Sequence, residues 1–453
     1  MKKIYRKFLL ITSLALVITI VFSGPVAYAM SPVMLSAGGW VTLEQPSGFS
    51  QSLPFSVQEK GGQFRAWDVT QKKLWDPADH APSISKTYYV SMTGDDGAAG
   101  TIDAPLRKIK TAAAKADVDR IIILDQGPYD QDTGLTGYAI TRSMSIVGAP
   151  GGTHIGGHYS GLAWALVGGK TNTYTATQTN ASSWAFDSAN LDGNGDWTRL
   201  SVQTSIDAVE ANAGSIYISG SNIYVHTFDN RVPDADIRIS NSGSDNIRTV
   251  TAGVTLYLEN LVITGAKYPV IARTATTPIR VYMKDCVVGY GTYGDNIEIL
   301  GADLFALRVT SKLAYGDGFN YGAYSGRSAT GVEVSSIGRH NGTPTAISNN
   351  GSTGHDSSVI TRINGEYYGN QGRNVAEITA TKSWNIGSYS HDSGTSDLTY
   401  NENWAVGDAN TNMWLHGCRS DGSETDIHSY SDAVVYIRKW KGGYTYIGTP
   451  VAY

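Results

Sequence analysis

Tyr315-Gly316-Asp317-Gly318 returns, loosened, as Arg339-His340-Asn341-Gly342, Tyr368-Gly369-Asn370-Gln371-Gly372, Ser390-His391-Asp392-Ser393-Gly394 and Arg419-Ser420-Asp421-Gly422. The closing glycines fall 24, 30, 22 and 28 residues apart. Short alternating runs precede them, such as Phe305-Ala306-Leu307-Arg308-Val309 and Gly331-Val332-Glu333-Val334. A period in the twenties, with a strand and a Gly turn in each unit, marks a solenoid. The units are too short for a helix pair and lack helical apolar spacing, which leaves the coils of a parallel β-helix. Asn-Gly and Asp-Gly supply the left-handed backbone that a sharp corner needs. Coils stack about 4.8 Å apart, so equivalent side chains form ladders. Asp317, Asn341, Gln371, Ser393 and Asp421 read as one polar ladder. It either shapes corners or lines a groove for a long substrate.

The repeat extends both ways. Leu258-Glu259-Asn260-Leu261-Val262-Ile263 and Met283-Lys284-Asp285-Cys286-Val287-Val288 lie 25 residues apart, which stacks Asn260 on Asp285. The last coil ends near Val434-Val435-Tyr436-Ile437, and Ile140 to Gly148 reads as an early one. Between them, residues 151–240 break the period. Ser215-Ile216-Tyr217-Ile218-Ser219 and Ile223-Tyr224-Val225-His226-Thr227 flank Gly220-Ser221-Asn222 as an antiparallel hairpin. Residues 201–212 read as a short helix. This segment is a β-rich insertion beside the solenoid, and such loops often shape a site. Its Asp192-Gly193-Asn194-Gly195-Asp196 superficially resembles a Ca²⁺ loop but lacks the downstream Glu.

Before the coils, Tyr88-Tyr89-Val90-Ser91 is a strand and 93–101 a Gly/Asp loop. Residues 104–116 follow as an amphipathic helix with Pro105 near its start, then Arg120-Ile121-Ile122-Ile123-Leu124 as a buried strand. This order resembles the N-terminal entry of the pectate-lyase-like superfamily of right-handed parallel β-helices. There a "tyr-val-ser…gly-thr…ala-pro" phrase precedes a helix that caps the solenoid's open end. The resemblance covers about 60 residues and the coil pattern downstream. It implies the fold and is silent on the reaction.

The chain starts with Lys2, Lys3, Arg6 and Lys7, an apolar run from Phe8 to Phe22, and Ala27-Tyr28-Ala29. That is the pattern of a secretory signal peptide cleaved near Ala29, so the expected location is extracellular. Losing those four cations takes the formal charge from −5 to −9, which argues against general nucleic-acid binding. It leaves an anionic sugar polymer open, through local basic groups or a cation. Residues 30–86 are a leader or small β cap, and 87–453 the β-helix domain. Cys286 and Cys418 sit about five coils apart, roughly 24 Å at the β spacing. That is too far for a disulfide, so both are expected as buried thiols.

Three clusters carry candidate chemistry. Asp295 and Asp317, 22 residues apart, are expected on adjacent coils, with Asn320 or Glu298 close by. They form a candidate Ca²⁺ site of hard oxygen ligands. The arrangement resembles the acidic cluster of calcium-dependent pectate lyases, except that Asn320 stands where another acid is expected. Where those enzymes present a Lys base, this chain offers Arg373. Second, Asn349-Asn350-Gly351-Ser352-Thr353-Gly354-His355-Asp356 carries adjacent His and Asp. Neighbours on a strand face opposite ways, so His355 need not be oriented by Asp356; a coil neighbour such as His391 or Asp392 can serve. Third come His391 and Asp392, with Arg373, Asn374 and Glu377 one coil earlier. Arg339 and Arg373 suit bidentate capture of carboxylate or sulfate.

The reading is an all-β, right-handed parallel β-helix with a capping helix and an inserted β-rich segment, acting on a polysaccharide. In the first-choice chemistry His355, Arg373, His391 and Arg339 are catalytic. Tyr321, Asn341, Asn374 and Tyr368 hold sugar, and Asp295, Asp317 and Asn320 hold Ca²⁺. The reaction is then β-elimination of an acidic, uronate-containing polymer. A glycoside hydrolase and a non-catalytic binding or adhesion β-helix are the alternatives. Asp317, Arg339, His355, Arg373 and His391 are expected to share one groove.

Overall fold

Every strand of the coiled region pairs in parallel with the strand three places further along the chain. Thr255–Glu259 pairs with Arg280–Lys284, Leu261–Gly265 with Val287–Gly289, and Val270–Arg273 with Ile297–Leu300. The same step repeats to Thr425–Ser429, so each coil contributes one strand to each of three sheets. That is a parallel β-helix. A computed structural model describes residues 39–343, 349–394, 401–448 and 450–453, plus a strand at Leu35–Ser36. The expected signal segment, residues 1–29, lies outside the described residues. Within them no helix is long and apolar enough to cross a membrane.

The first sheet begins with Thr87–Val90, Arg120–Ile123 and Met144–Val147 and runs to Val451–Ala452. Its inward row starts as hydrocarbon, with Leu258, Met283 and Ala306 in register and fully buried. It then becomes Glu333, Arg362 and Asn385, still fully buried, before returning to Leu415. Arg362 pairs with Glu333 at 3.3 Å and with Glu377 from the third sheet. Tyr321 and Tyr367 donate their hydroxyls to Glu333 at 3.1 and 2.8 Å. Buried charges persist only when so paired and hydrogen-bonded. Tyr321 is therefore an interior strut and offers no surface to sugar.

The outward row of the first sheet is aromatic, with Tyr282 stacked on Phe305 at 4.8 Å and Trp414 on Tyr436 at 5.0 Å. The leader covers it. Trp40–Thr42, Ser56–Lys60, Gln63–Asp68 and Lys73–Leu74 form a small antiparallel sheet. Phe49 from the leader meets the rings of Trp384 and Trp414 at 6.0 and 5.8 Å, and His80 stacks on Tyr282 at 5.4 Å. Burying each large apolar side chain is worth roughly 1.5–3 kcal/mol. The segment covers a face of the solenoid.

The capping helix is shorter than its pattern, Ile109–Ala113. Leu106 is taken by backbone pairing on both sides, its N–H given to Tyr89 and its carbonyl receiving Ser91, which holds 104–108 extended. Ile109, Ala112 and Ala113 still plug the first coils. In the insertion the helix is Ile206–Ala211, N-capped by Ser205, after a strand at Ser201–Val202. The hairpin joins Ser215–Ser219 to Asn222–His226. Ile237–Asn241 returns the chain by pairing antiparallel with Thr153–Tyr159, the first strand of the second sheet. The insertion then lies along that sheet: Trp197 stacks on Tyr290 at 4.6 Å. Buried Asp196 accepts from Lys312 and Arg339. Cys286 and Cys418 are free and buried, and burial pushes both thiols up to about 12.

Candidate functional site

The turns that lead from the second sheet into the third build one continuous ladder. Ile297, Phe319, Ser352, Val375 and Trp404 are in register on the third sheet. Two residues ahead of each stand Asp295, Asp317, Asn350, Arg373 and Glu402. Each of the first three side chains accepts the backbone N–H of the next member. Asp317 N donates to Asp295 Oδ1 at 2.7 Å, Asn350 N to Asp317 Oδ1 at 2.6 Å, and Arg373 N to Asn350 Oδ1 at 2.9 Å. The row ends in charge pairing: Arg373 Nε meets Glu402 Oε2 at 3.2 Å, and His428 Nδ1 meets Glu402 Oε1 at 2.8 Å.

Beside the ladder runs the outward row of the third sheet, where Glu298, Asn320 and Thr353 are in register. Asn320 Nδ2 donates to Asp295 Oδ2 at 2.6 Å. The Asn320 carbonyl oxygen and Glu298 Oε2 are both buried without a partner. Burial, reinforced by the charge of Asp295, pushes the Glu298 carboxyl up to about 7. Burial also raises Asp295, and raises Asp317 well above the carboxylate range, with Asp295 adding like-charge repulsion. Asp295 accepts two short hydrogen bonds that favour its anion, and Asp317 accepts one from Asn350 N, yet burial and the charge of Asp295 push Asp317 toward its acid form. The result is Glu298, whose burial favours the acid form, beside Asp295, whose accepted hydrogen bonds oppose the same push.

His355 ends the next third-sheet strand and lies against Gly322, where an added Cβ would sit 2.3 Å from the ring. Its Nδ1 pairs with Asp356 Oδ2 at 2.7 Å. The strand-alternation argument fails here because Asp356 has a φ of +55°, which swings its side chain back toward His355. At the other margin Tyr268 lies near Glu298, and Tyr293, 63% exposed, meets Tyr268 edge to face at 6.2 Å. These two rings border the carboxyl groups and went unread in the sequence, where only their spacing ahead of Asp295 marked them.

The expected common groove divides in two. Asp317, His355 and Arg373 belong to the ladder and outward face of the third sheet. Arg339, Tyr368 and His391 are in register on the second sheet, facing the insertion's side. There Tyr368 stacks on His391 at 4.8 Å, His391 pairs with Asp392 at 2.6 Å, and Arg339 closes on Asp196. Asn341 is not a ladder partner of Asp317. It is fully buried, accepts Ala314 N, and donates to Asn370 Oδ1 at 3.0 Å. Asn374 is buried likewise, donating to the His391 carbonyl and to Asn403. Both are interior braces, out of reach of a sugar.

The donor set fits Ca²⁺ poorly. Asn320 turns its amide nitrogen to Asp295, and the oxygens of Asp295 are engaged by N–H donors. Among the described residues no group of three or more His, Cys, Asp and Glu side chains is placed to hold a metal ion. A Ca²⁺ ion needs six to eight oxygen ligands.

No family model and no curated protein sequence matches the chain. Among solved structures it is similar to a glycoside hydrolase at 10% identity, covering 80% of this chain and 94% of that one, with a TM-score of 0.50. It is also similar to XylC in complex with xylose at 11% identity, covering 78% and 65%, TM-score 0.47. A third is pectate lyase Pel9A at 12% identity, covering 82% and 73%, TM-score 0.38. The chain thus spans 65% of the length of XylC. At such identities the likeness concerns the fold.

Proposed function

We propose that this chain is an exported, carbohydrate-active β-helix that hydrolyses a glycosidic bond on the outward face of its third sheet. The observation that carries the reading is Glu298, its carboxyl partly buried and pushed up to about 7, next to Asp295, which is hydrogen-bonded at both oxygens. Two carboxyl groups with separated proton affinities are what glycoside hydrolysis needs. Glu298 gives its proton to the glycosidic oxygen as the bond to the anomeric carbon breaks. Asp295 takes the proton of the water that attacks that carbon. Both Asp295 oxygens already accept hydrogen bonds, which suits a base better than a nucleophile. Asp317 keeps Asp295 in place through its backbone N–H. Tyr268 and Tyr293 offer flat apolar faces to sugar rings. Elimination fits these groups less well, since Arg373 is drawn to Glu402.

The test is a panel of plant and microbial polysaccharides with and without a chelator. New reducing ends with no absorbance near 235 nm, unchanged by chelator and lost in Glu298→Gln, are expected. Absorbance at 235 nm, or full activity in Glu298→Gln, overturns the proposal. Intact mass of the exported chain, expected to begin near Met30, tests the export part separately.

A further inference from the structure

A cavity of about 280 Å³ lies between the insertion and the second sheet, lined by Trp184, Asn194, Arg199, Leu313, His340 and Gln371 among others. We propose that it binds an anionic group carried on a saccharide, a carboxylate or a sulfate. The inference does not rest on the hydrolytic reading.

Arg199 is the centre of the argument. Its guanidinium carbon sits 3.9 Å over the Trp184 ring. The guanidinium makes no hydrogen bond or ion pair with any described residue, and its Nε is buried without a partner. The other cations around it are compensated. Arg231 pairs with Asp187, Arg238 with Asp130, and Lys312 and Arg339 both with Asp196. Burial lowers Arg199 to about 10, with no carboxylate restoring it. A half-buried cation that persists unpaired in such a setting marks a place that a ligand completes. The guanidinium's planar fork matches a carboxylate or sulfate.

The surroundings select a sugar as the carrier. Trp184 Nε1 is also buried without a partner, a donor suited to a hydroxyl. The cavity is near the lower end of small-ligand pockets, enough for about one pyranose ring. Asp192 lines it too, but its Oδ1 is turned into its own loop, accepting Asn194 N at 2.8 Å and Asp196 N at 3.0 Å. Trp184 meets Tyr315 edge to face at 5.4 Å, and Tyr315 is two residues from Asp317. The cavity therefore lies beside the carboxyl ladder, on the far side of Tyr315.

The experiment uses monosaccharides, which have no glycosidic bond to cleave. Glucuronic acid, glucose 6-sulfate, glucose and inorganic sulfate are titrated into the full chain by calorimetry and tryptophan fluorescence. At least one acidic sugar is expected to bind, glucose not to. Arg199→Gln should weaken binding by about 10-fold or more, the scale of a charge-assisted hydrogen-bonded pair. Asn194→Trp, on the exposed loop, should block the cavity without touching the core. Arg199→Gln should melt no lower than the parent, because it removes an uncompensated charge. The proposal fails if no acidic sugar binds or if both variants keep full affinity. It fails equally if glucose binds as well as the acidic sugars, or if inorganic sulfate binds as well as glucose 6-sulfate. A lower melting temperature in Arg199→Gln with binding retained would make Arg199 a packing residue and also overturn it.

Discussion

Asp317 gives its backbone N–H to the carboxylate of Asp295, one coil away, at 2.7 Å. The bond does two things. It locks the register of adjacent turns, and it holds two carboxyl groups close enough that the charge of Asp295 pushes Asp317 toward its acid form. Asp295→Asn keeps an acceptor for the N–H but loses the anion. Turnover should fall about 10²-fold or more, the scale for a lost general base. His391→Ala, on the second sheet, should leave cleavage within about two-fold. Reducing-end assays on both variants check this division of faces; equal losses would restore a shared groove.

Glu298 gives a pH signature. Its folded pKa, about 7, lies above its ordinary value of 4.5. A raised folded pKa means stability that is fully present below about pH 4.5 and lost as pH rises through 7. Glu298→Gln cannot ionise and escapes that loss. The variant should gain on the parent between those limits, by up to about 3 kcal/mol above pH 7. Melting curves from pH 4 to 8 test it. In the parent, hydrolysis should decline above pH 7 as the acid loses its proton.

Asp196 fastens the insertion to the solenoid. It is 1% exposed and takes both Lys312 and Arg339. Asp196→Ala leaves two partly buried cations, Lys312 and Arg339, without their carboxylate and should cost about 3 kcal/mol. Limited proteolysis should then cut between residues 160 and 236 before the coils. The Asp196 carboxyl is held far below the usual range by its three basic neighbours, after burial's opposing push. Its contribution is present above about pH 4, the ordinary Asp range, and is lost only in strong acid.

Arg362 is the interior counterpart. Arg362→Met strands Glu333 and Glu377 in a dry core and should prevent folding or cost about 3–5 kcal/mol. Replacing Glu377 by Gln and Glu333 by Gln as well, which keeps acceptors for the Tyr321 and Tyr367 hydroxyls, should recover part of that loss, measured by urea unfolding of the double and triple variants. A single variant as stable as the parent would mean the charges are solvated.

The architecture was legible because strands of the first sheet keep close spacing: Leu258 and Met283 fall 25 residues apart in sequence and pair in the structure. Asp295 and Asp317 were legible for the same reason. Asn341 was misaligned because turn length varies. Thr310–Lys312 and Phe319–Gly322 are separated by six residues in one coil, Ile337–Arg339 and Ser352–Gly354 by twelve in the next. Counting from glycine to glycine put Asn341 opposite Asp317, whereas its true neighbour is Asn370. Glu298 stood out only weakly, since nothing in its own strand marks a raised pKa; that comes from burial and from Asp295. Arg199 was missed altogether, because an unpaired guanidinium is visible only once the neighbours are known to be spent elsewhere. Tyr321 misled through its place in a polar phrase, although its strand turns it inward.

The change in the solenoid's interior bears on how such a chain can lengthen or shorten. Thr255–Glu259 and its two companion strands stack hydrocarbon on hydrocarbon, above and below. Copying or deleting that coil returns each neighbour a compatible surface. Around Glu333, Arg362 and Asn385 every coil presents a different polar group to the next, and each finds its complement only in the present order. A duplicated Glu333 or Arg362 coil sets like charge on like charge, and a deleted one takes a carboxylate from its arginine or sets the Arg362 guanidinium against Leu415. The axis therefore has a modular half and an indivisible half, and insertions or losses of whole repeats among related chains should accumulate in the first and avoid the second.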